Sequence, residues 1–224
     1  MDPQTAPRLI DLSQPIRDAG PNCPAHPAVT LERIADHPTH GWRMEMLQCA
    51  THTGSHCDAP LHKVAGGHSL DDLPLHTWRR PAWLVDLRPA TDDLLIDHDM
   101  LAARLEGESL ADHAVLLCTG FGELRDDPRW KQSPARLGPE GAQWLVDRGV
   151  RGVGIDHYSI GGNDEAINLP THQALLGNGV WIVEDLAFPP DVWHVPQPAT
   201  FWALPIRVAE ASGAFCRPVL EVQP

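Results

Sequence analysis

Positive charge is scarce in this chain: 17 Lys and Arg stand against 30 Asp and Glu, for a net charge of −13. That balance excludes non-specific binding to nucleic acid or to anionic membranes, both of which need a basic surface. The acidic excess is spread along the chain, so it serves solubility rather than forming an acidic tail. No apolar run approaches the ~20 residues that a membrane-spanning helix requires. Met1 to Leu12 has no basic stretch followed by an apolar one, so no secretory signal is expected. The cysteines (Cys23, Cys49, Cys57, Cys118 and Cys216) are odd in number and widely spaced. They match neither a disulfide framework nor a paired C-x-x-C zinc site, and reduced thiols in a cytoplasm are the expectation. Internal repeats, low-complexity tracts and dividing linkers are missing too, which leaves one domain over residues 1–224.

What remains is an ordinary globular composition, 42 % hydrophobic and 21 % charged, with one unusual stretch. Residues 52–62 read His-Thr-Gly-Ser-His-Cys-Asp-Ala-Pro-Leu-His, gathering His52, His56, Asp58 and His62. These side chains bind divalent metal or move protons. A regular helix through them fails at Pro60, which has no N–H and clashes with the preceding turn. A straight strand fails too, because at about 3.3 Å per residue the outer pair would lie roughly 33 Å apart. The chain must coil, with Gly54 as pivot, since glycine tolerates positive φ without strain. A coiled loop that gathers imidazole and carboxylate is a metal or catalytic site in preference to a polar loop. Alternation turns Cys57 away from its neighbours His56 and Asp58.

Hydrophobic patterning predicts short strands over 9–13, 29–35 and 42–49, the last two forming a meander that delivers the chain into His52. Residues 14–27 are a proline-rich loop. Further strands are expected at 83–87, 114–118, 152–156 and 180–183, with closing strands at 201–208 and 216–222. The run Ala114-Val-Leu-Leu-Cys118 is apolar throughout and predicts a strand buried on both faces. Helices are expected at 97–105, behind an Asp97 cap, at 138–147, and at 169–176 before Gly177. The first half is mostly strands and the second alternates helix and strand, so the class is α/β with a mixed sheet.

Further candidate ligands come from the second half: His172 on the short helix, and Glu184 at the end of the following strand, where α/β sheets place their sites. Residues 52–62 resemble the His-x-Gly-[Thr/Ser]-His-x-Asp-x-Pro-x-His signature of the cyclase family of metal-dependent hydrolases, which includes kynurenine formamidases and isatin hydrolases. Asp11-Leu12-Ser13, Leu117-Cys-Thr-Gly120, Gly154-Ile-Asp156 with Ser159, His172 with Leu175-Leu176, Glu184-Asp-Leu186 and Leu204-Pro-Ile-Arg207 are similar to that family's landmarks, in order. The resemblance implies a swivelling β/β/α fold and a homodimer or higher homo-oligomer. It further implies that His52, His56 and Asp58 bind a first metal, that Asp58 and Glu184 bridge to a second shared with His172, and that His62 is the acid/base. Zn²⁺, as one or two ions, suits this donor set, and Mn²⁺ suits the carboxylate-rich position.

The implied activity is hydrolysis of a carbon–nitrogen bond in a small amide or cyclic amide. Lactone hydrolysis or cyclisation would use the same polarised carbonyl, and a non-catalytic metal-binding scaffold is the reading from another class. A structural zinc site closes with four ligands and needs no spare base, so His62 argues for catalysis. One departure bears on substrate. Where kynurenine formamidases carry an aromatic residue in a Trp/Tyr-Pro-Gly-Asp-like context, this chain reads Asn22-Cys23-Pro24-Ala25-His26-Pro27. The aromatic, the Gly and the Asp are absent, which argues against N-formylkynurenine. Tyr158, the only tyrosine, either lines the pocket or packs a loop.

Overall fold

The computed structural model describes residues 7–223; residues 1–6, part of the stretch read for a signal, lie outside the described residues. The chain begins with strand β1 (Arg8–Asp11), followed after the proline-rich loop by β2 (Thr30–Ala35), the one-turn helix α1 (His37–His40) and β3 (Met44–Gln48). A coiled turn then leads into β4 (His56–Asp58), and β5 (Arg79–Asp86) and the two-residue β6 (Leu95–Ile96) come next. Helix α2 (His98–Leu105), β7 (Ala114–Cys118), the short α3 (Arg129–Gln132) and β8 (Arg136–Leu137) follow. The remaining elements are α4 (Pro139–Asp147), β9 (Gly152–Ile155), α5 (Glu165–Gly177), β10 (Trp181–Glu184), β11 (Ala199–Trp202), β12 (Gly213–Phe215) and β13 (Val219–Val222).

Nine of these strands form one curled mixed sheet in the order β1-β13-β11-β5-β7-β9-β10-β4-β12. Its centre, β5-β7-β9-β10, is parallel, and every pairing outside it is antiparallel. The class is therefore the α/β mixed sheet expected from the sequence. Strand β7 shows why its apolar run was needed. Ala114, Leu116 and Cys118 enter one core with Trp78, Trp181 and Phe201, while Val115 and Leu117 enter a second under the helices with Leu101, Leu145 and Leu175. Each such large side chain taken from water contributes roughly 1.5–3 kcal/mol. Gly152 and Gly154 of β9 turn the other way, toward the first core. A Cβ on Gly152 would overlap the ring of Trp181, its partner in the β9–β10 register.

Several expectations shift in detail. Strands β2 and β3 do pair, but as a separate two-stranded ribbon outside the main sheet, with most of their side chains exposed. The strand expected over 201–208 runs from Ala199 to Trp202; the Ala203 N–H adds one more rung, to the Trp78 carbonyl, and Pro205, which has no N–H, cannot continue the ladder. The strand expected over 216–222 starts only at Val219, past Pro218, and the sequence reading missed β12 ahead of it. Helix α5 begins four residues before the expected Leu169, capped by Asp164, whose side chain accepts from the Ala166 N–H at 3.0 Å; Pro170 lies inside it. Among the described residues no helix is long and apolar enough to cross a membrane.

Candidate metal centre

The site is built where β4 enters the sheet between β10 and β12. Alternation on β4 sends Cys57 into the first core, where its Sγ donates to the Ala203 carbonyl at 2.9 Å. His56 and Asp58 thereby face the helix side. Register places Glu184 of β10 directly opposite His56, and Ile182 opposite Asp58. Helix α5 crosses this face and contributes His172. Gly54 takes a φ of 63°, the left-handed turn that brings His52 back over β4. A turn of 3-10 helix, Pro60–His62, then carries His62 to the same place. The imidazoles of His52 and His62 lie 4.0 Å apart, centroid to centroid, and those of His62 and His172 5.5 Å. All six residues singled out in the sequence meet.

Hydrogen bonds fix which nitrogens face the site. A carbonyl only accepts, so His56 Nδ1–H donates to the Gly54 carbonyl at 2.7 Å and His172 Nδ1–H to that of Asn168 at 2.9 Å. Both Nε2 atoms are left facing carboxylates. His56 Nε2 lies 3.3 Å from Asp58 Oδ1 and 3.4 Å from Glu184 Oε2, and His172 Nε2 lies 3.3 Å from Glu184 Oε1. His52 Nδ1 stands 2.7 Å from Asp58 Oδ1, with its Nε2 at 3.0 Å from Ser212 Oγ. Lone pairs aimed at carboxylates repel unless a proton or a cation lies between them. His56 Nε2 and Asp58 Oδ2 are moreover buried with no hydrogen-bond partner, a deficit that costs about 1–3 kcal/mol per group if left uncompensated. This donor set fits a divalent cation.

Two overlapping groups have ligand atoms close enough to share an ion: His52, His56 and Asp58, and then Asp58, His62 and His172. Asp58 belongs to both.

Electrostatics agree with the geometry. Burial alone would raise the Asp58 carboxyl, but the neighbouring His52 and His62 hold it well below the usual carboxylate range. Glu184, raised by burial and by Asp58, is brought down to about 2 by His172 and His56. Burial disfavours the charged form of His56, yet the Asp58 and Glu184 carboxylates lift it well above an ordinary imidazole. His62 behaves differently: burial pushes it down to about 4, with Asp58 opposing and His52 and His172 assisting. It is neutral at pH 7.

The sequence reading missed the supporting shell. Ile160 N–H donates to Glu184 Oε1 at 2.7 Å, and the buried Arg125 pairs with Asp185 at 2.7 Å, anchoring the chain just past Glu184. Ser212 and Gly213, from the far end of the chain, complete the seat of His52. The adjacent Ser-Gly pair carries no local signal of this, because only the β4–β12 register brings it there. The site opens into a cavity of about 300 Å³ that also exposes His26, Lys63 and Tyr158.

Fold and site together define a member of the Cyclase family, and the chain belongs to it: that family's model, described as "Putative cyclase", matches residues 10–161. Among curated proteins, the kynurenine formamidase of Salinibacter ruber (strain DSM 13855 / M31) is 32 % identical over 223 residues, covering 96 % of this chain and 98 % of that protein. Among solved structures, isatin hydrolase A from Labrenzia aggregata superposes with a TM-score of 0.85 at 23 % identity, covering 99 % of this chain and 96 % of that one. A structure titled as a potential metal-dependent hydrolase with cyclase activity gives a TM-score of 0.77 at 27 % identity, covering 98 % and 100 %.

Proposed function

We propose that this chain is a metal-dependent amidohydrolase that opens the carbon–nitrogen bond of a small amide or cyclic amide. The observation that carries the reading is the convergence of imidazole nitrogens on two buried carboxylates, Asp58 and Glu184, beside a cavity. The formamidase and hydrolase names of its relatives support the same reaction class. His52, His56 and Asp58 would hold one Zn²⁺, and Asp58, Glu184 and His172 a second ion, either Zn²⁺ or Mn²⁺. A cation bound there would polarise the scissile carbonyl and lower the pKa of a bound water toward ~7. His62, neutral and next to both groups, takes the proton of the attacking water and passes it to the departing nitrogen. Asp58 and Glu184 stay ionised through the cycle because the surrounding imidazoles favour their charged forms.

The reading also places the protein in a reducing cytoplasm, which its five free cysteines support. It makes the protein a homodimer or higher homo-oligomer, supported by the exposed apolar side chains Leu31, Ile34, Met44 and Met46 on the β2–β3 ribbon.

Elemental analysis of the native protein and of His52→Ala and Glu184→Ala tests the centre first. About one or two Zn or Mn per chain, reduced in both variants, is the expected outcome; metal retained in both variants would sink the assignment. Hydrolysis of amide and lactone panels, with chelation and metal add-back, then tests the reaction. Turnover of lactones alone would move the assignment to the ester-type reaction.

A further inference from the structure

The cavity is also lined by the loop around Cys23 to His26 and by Lys63, the residue after His62. No Phe or Trp lines the cavity among the described residues. Its one aromatic carbocycle, Tyr158, donates its hydroxyl to the Lys131 carbonyl at 3.3 Å. The loop instead presents the small Cys23, Pro24 and Ala25, and then the imidazole of His26, whose Nδ1 is buried and has no hydrogen-bond partner. Lys63 is the only Lys or Arg lining the cavity among the described residues. Its side chain is 23 % exposed, and its ammonium lies 3.5 Å from Glu165, which is 66 % exposed. An ion pair that open to water is worth about 0–1 kcal/mol, so an incoming anion can displace Glu165.

We infer that His26 and Lys63 form a recognition subsite for a carboxylate on an aliphatic amide substrate. The assignment rests on the amidohydrolase reading and narrows it. Geometry divides the labour. The His/Asp/Glu cluster takes the amide carbonyl, while His26 donates one hydrogen bond and Lys63 a charge-assisted one to the carboxylate. A cavity of about 300 Å³, at the small end of ligand sites, suits a short acyl chain. Without a ring platform it gives a flat aryl group little to stack upon.

The test uses metal-loaded protein and three probes: N-formyl-β-alanine, its uncharged carboxamide, and formanilide. Hydrolysis rates and calorimetric binding are both measured, on native protein and on Lys63→Gln, His26→Ala and Glu165→Gln. The expected result is preference for N-formyl-β-alanine over the other two by about tenfold or more, the scale of one hydrogen bond to a charged group. Lys63→Gln should remove the advantage over the carboxamide, acting on KM or binding with little change in kcat. His26→Ala should weaken both β-alanine derivatives, and Glu165→Gln should strengthen binding of the anionic probe. Formanilide bound or turned over as well as N-formyl-β-alanine, or an anion preference that survives Lys63→Gln, overturns the subsite. If none of the three is hydrolysed, the amide and lactone panels decide the amidohydrolase reading, and calorimetry still decides the subsite. No anion preference in binding would overturn it.

Discussion

His56 and Glu184 lie directly opposite each other in the β4–β10 pair, and their side chains meet on the helix-bearing face with Nε2 and Oε2 3.4 Å apart. A hairpin-like register thus brings together two ligand candidates 128 positions apart in the chain, 184 − 56. Glu184→Gln keeps the shape and a carbonyl oxygen for the Ile160 N–H, but removes the charge. Metal content should fall by about one ion per chain, or affinity by 10–100-fold. Far-UV circular dichroism should not change. Elemental analysis after dialysis checks this.

His62→Gln separates proton transfer from cation binding. The proposed acid/base role predicts a loss of roughly 10²–10⁴ in kcat with metal content unchanged, and flattening of the acidic limb of the pH–rate profile. Because His62 also lies within ligand reach of Asp58 and His172, loss of one metal in this variant would reassign it as a ligand.

Gly213 faces Asp58 in the β4–β12 register, and a Cβ there would overlap the His52 imidazole. Gly213→Ala should push that ring off Asp58 Oδ1 and weaken the first cation position by roughly tenfold, about 1.4 kcal/mol. The mechanism is overpacking, which typically costs 1–3 kcal/mol. Isothermal titration with Zn²⁺, compared with a Gly179→Ala control where no atom lies within 4 Å of the added Cβ, checks it. The control takes its own penalty from a φ of 72°, so the comparison is of metal affinity, not stability.

Acid should weaken the fold through His157. Burial pushes this imidazole down to about 4, and its neutral Nε2–H donates to the Trp130 carbonyl at 2.6 Å. In the unfolded chain the same group titrates near ~6.5, so between the two values the unfolded state binds the extra proton. The contribution is complete above pH 6.5 and lost progressively as pH falls toward 4, by up to about 3 kcal/mol from a shift of that size. Urea denaturation at pH 7 and pH 4.5 should show this difference shrinking in His157→Gln. An unchanged difference would assign the acid sensitivity elsewhere.

The meeting of His52, His56, Asp58 and His62 was legible because the eleven-residue stretch leaves the chain so few conformations. Pro60 forbids helix, the length of the stretch forbids a straight strand, and Gly54 supplies the turn. The apolar run in β7 likewise announced its own burial on both faces. Long-range register was not legible. Nothing near Ser212 or Gly213 says that they flank His52, because that depends on β12 pairing with β4. Local rules also misplaced boundaries where tertiary contacts override them. The expected helix start was Leu169, yet α5 begins at Glu165 because Asp164 caps it, and Pro170 is carried inside the helix at the loss of one ladder hydrogen bond. The ribbon of β2 and β3 read correctly as strands, but its isolation from the sheet leaves no trace in its own alternation.

Strand β4, only three residues long, is held between β10 and β12. Those neighbours are supplied by chain that is synthesised long after it. Asp58 therefore has no fixed position until almost the whole polypeptide is made and its last strands have docked. A nascent chain released before Phe215 would own every residue of the eleven-residue signature and still lack the wall that seats His52. Cation uptake can then serve as a clock for late folding: in a stopped-flow experiment, ion capture should lag the formation of helical structure and coincide with closure of this edge of the sheet.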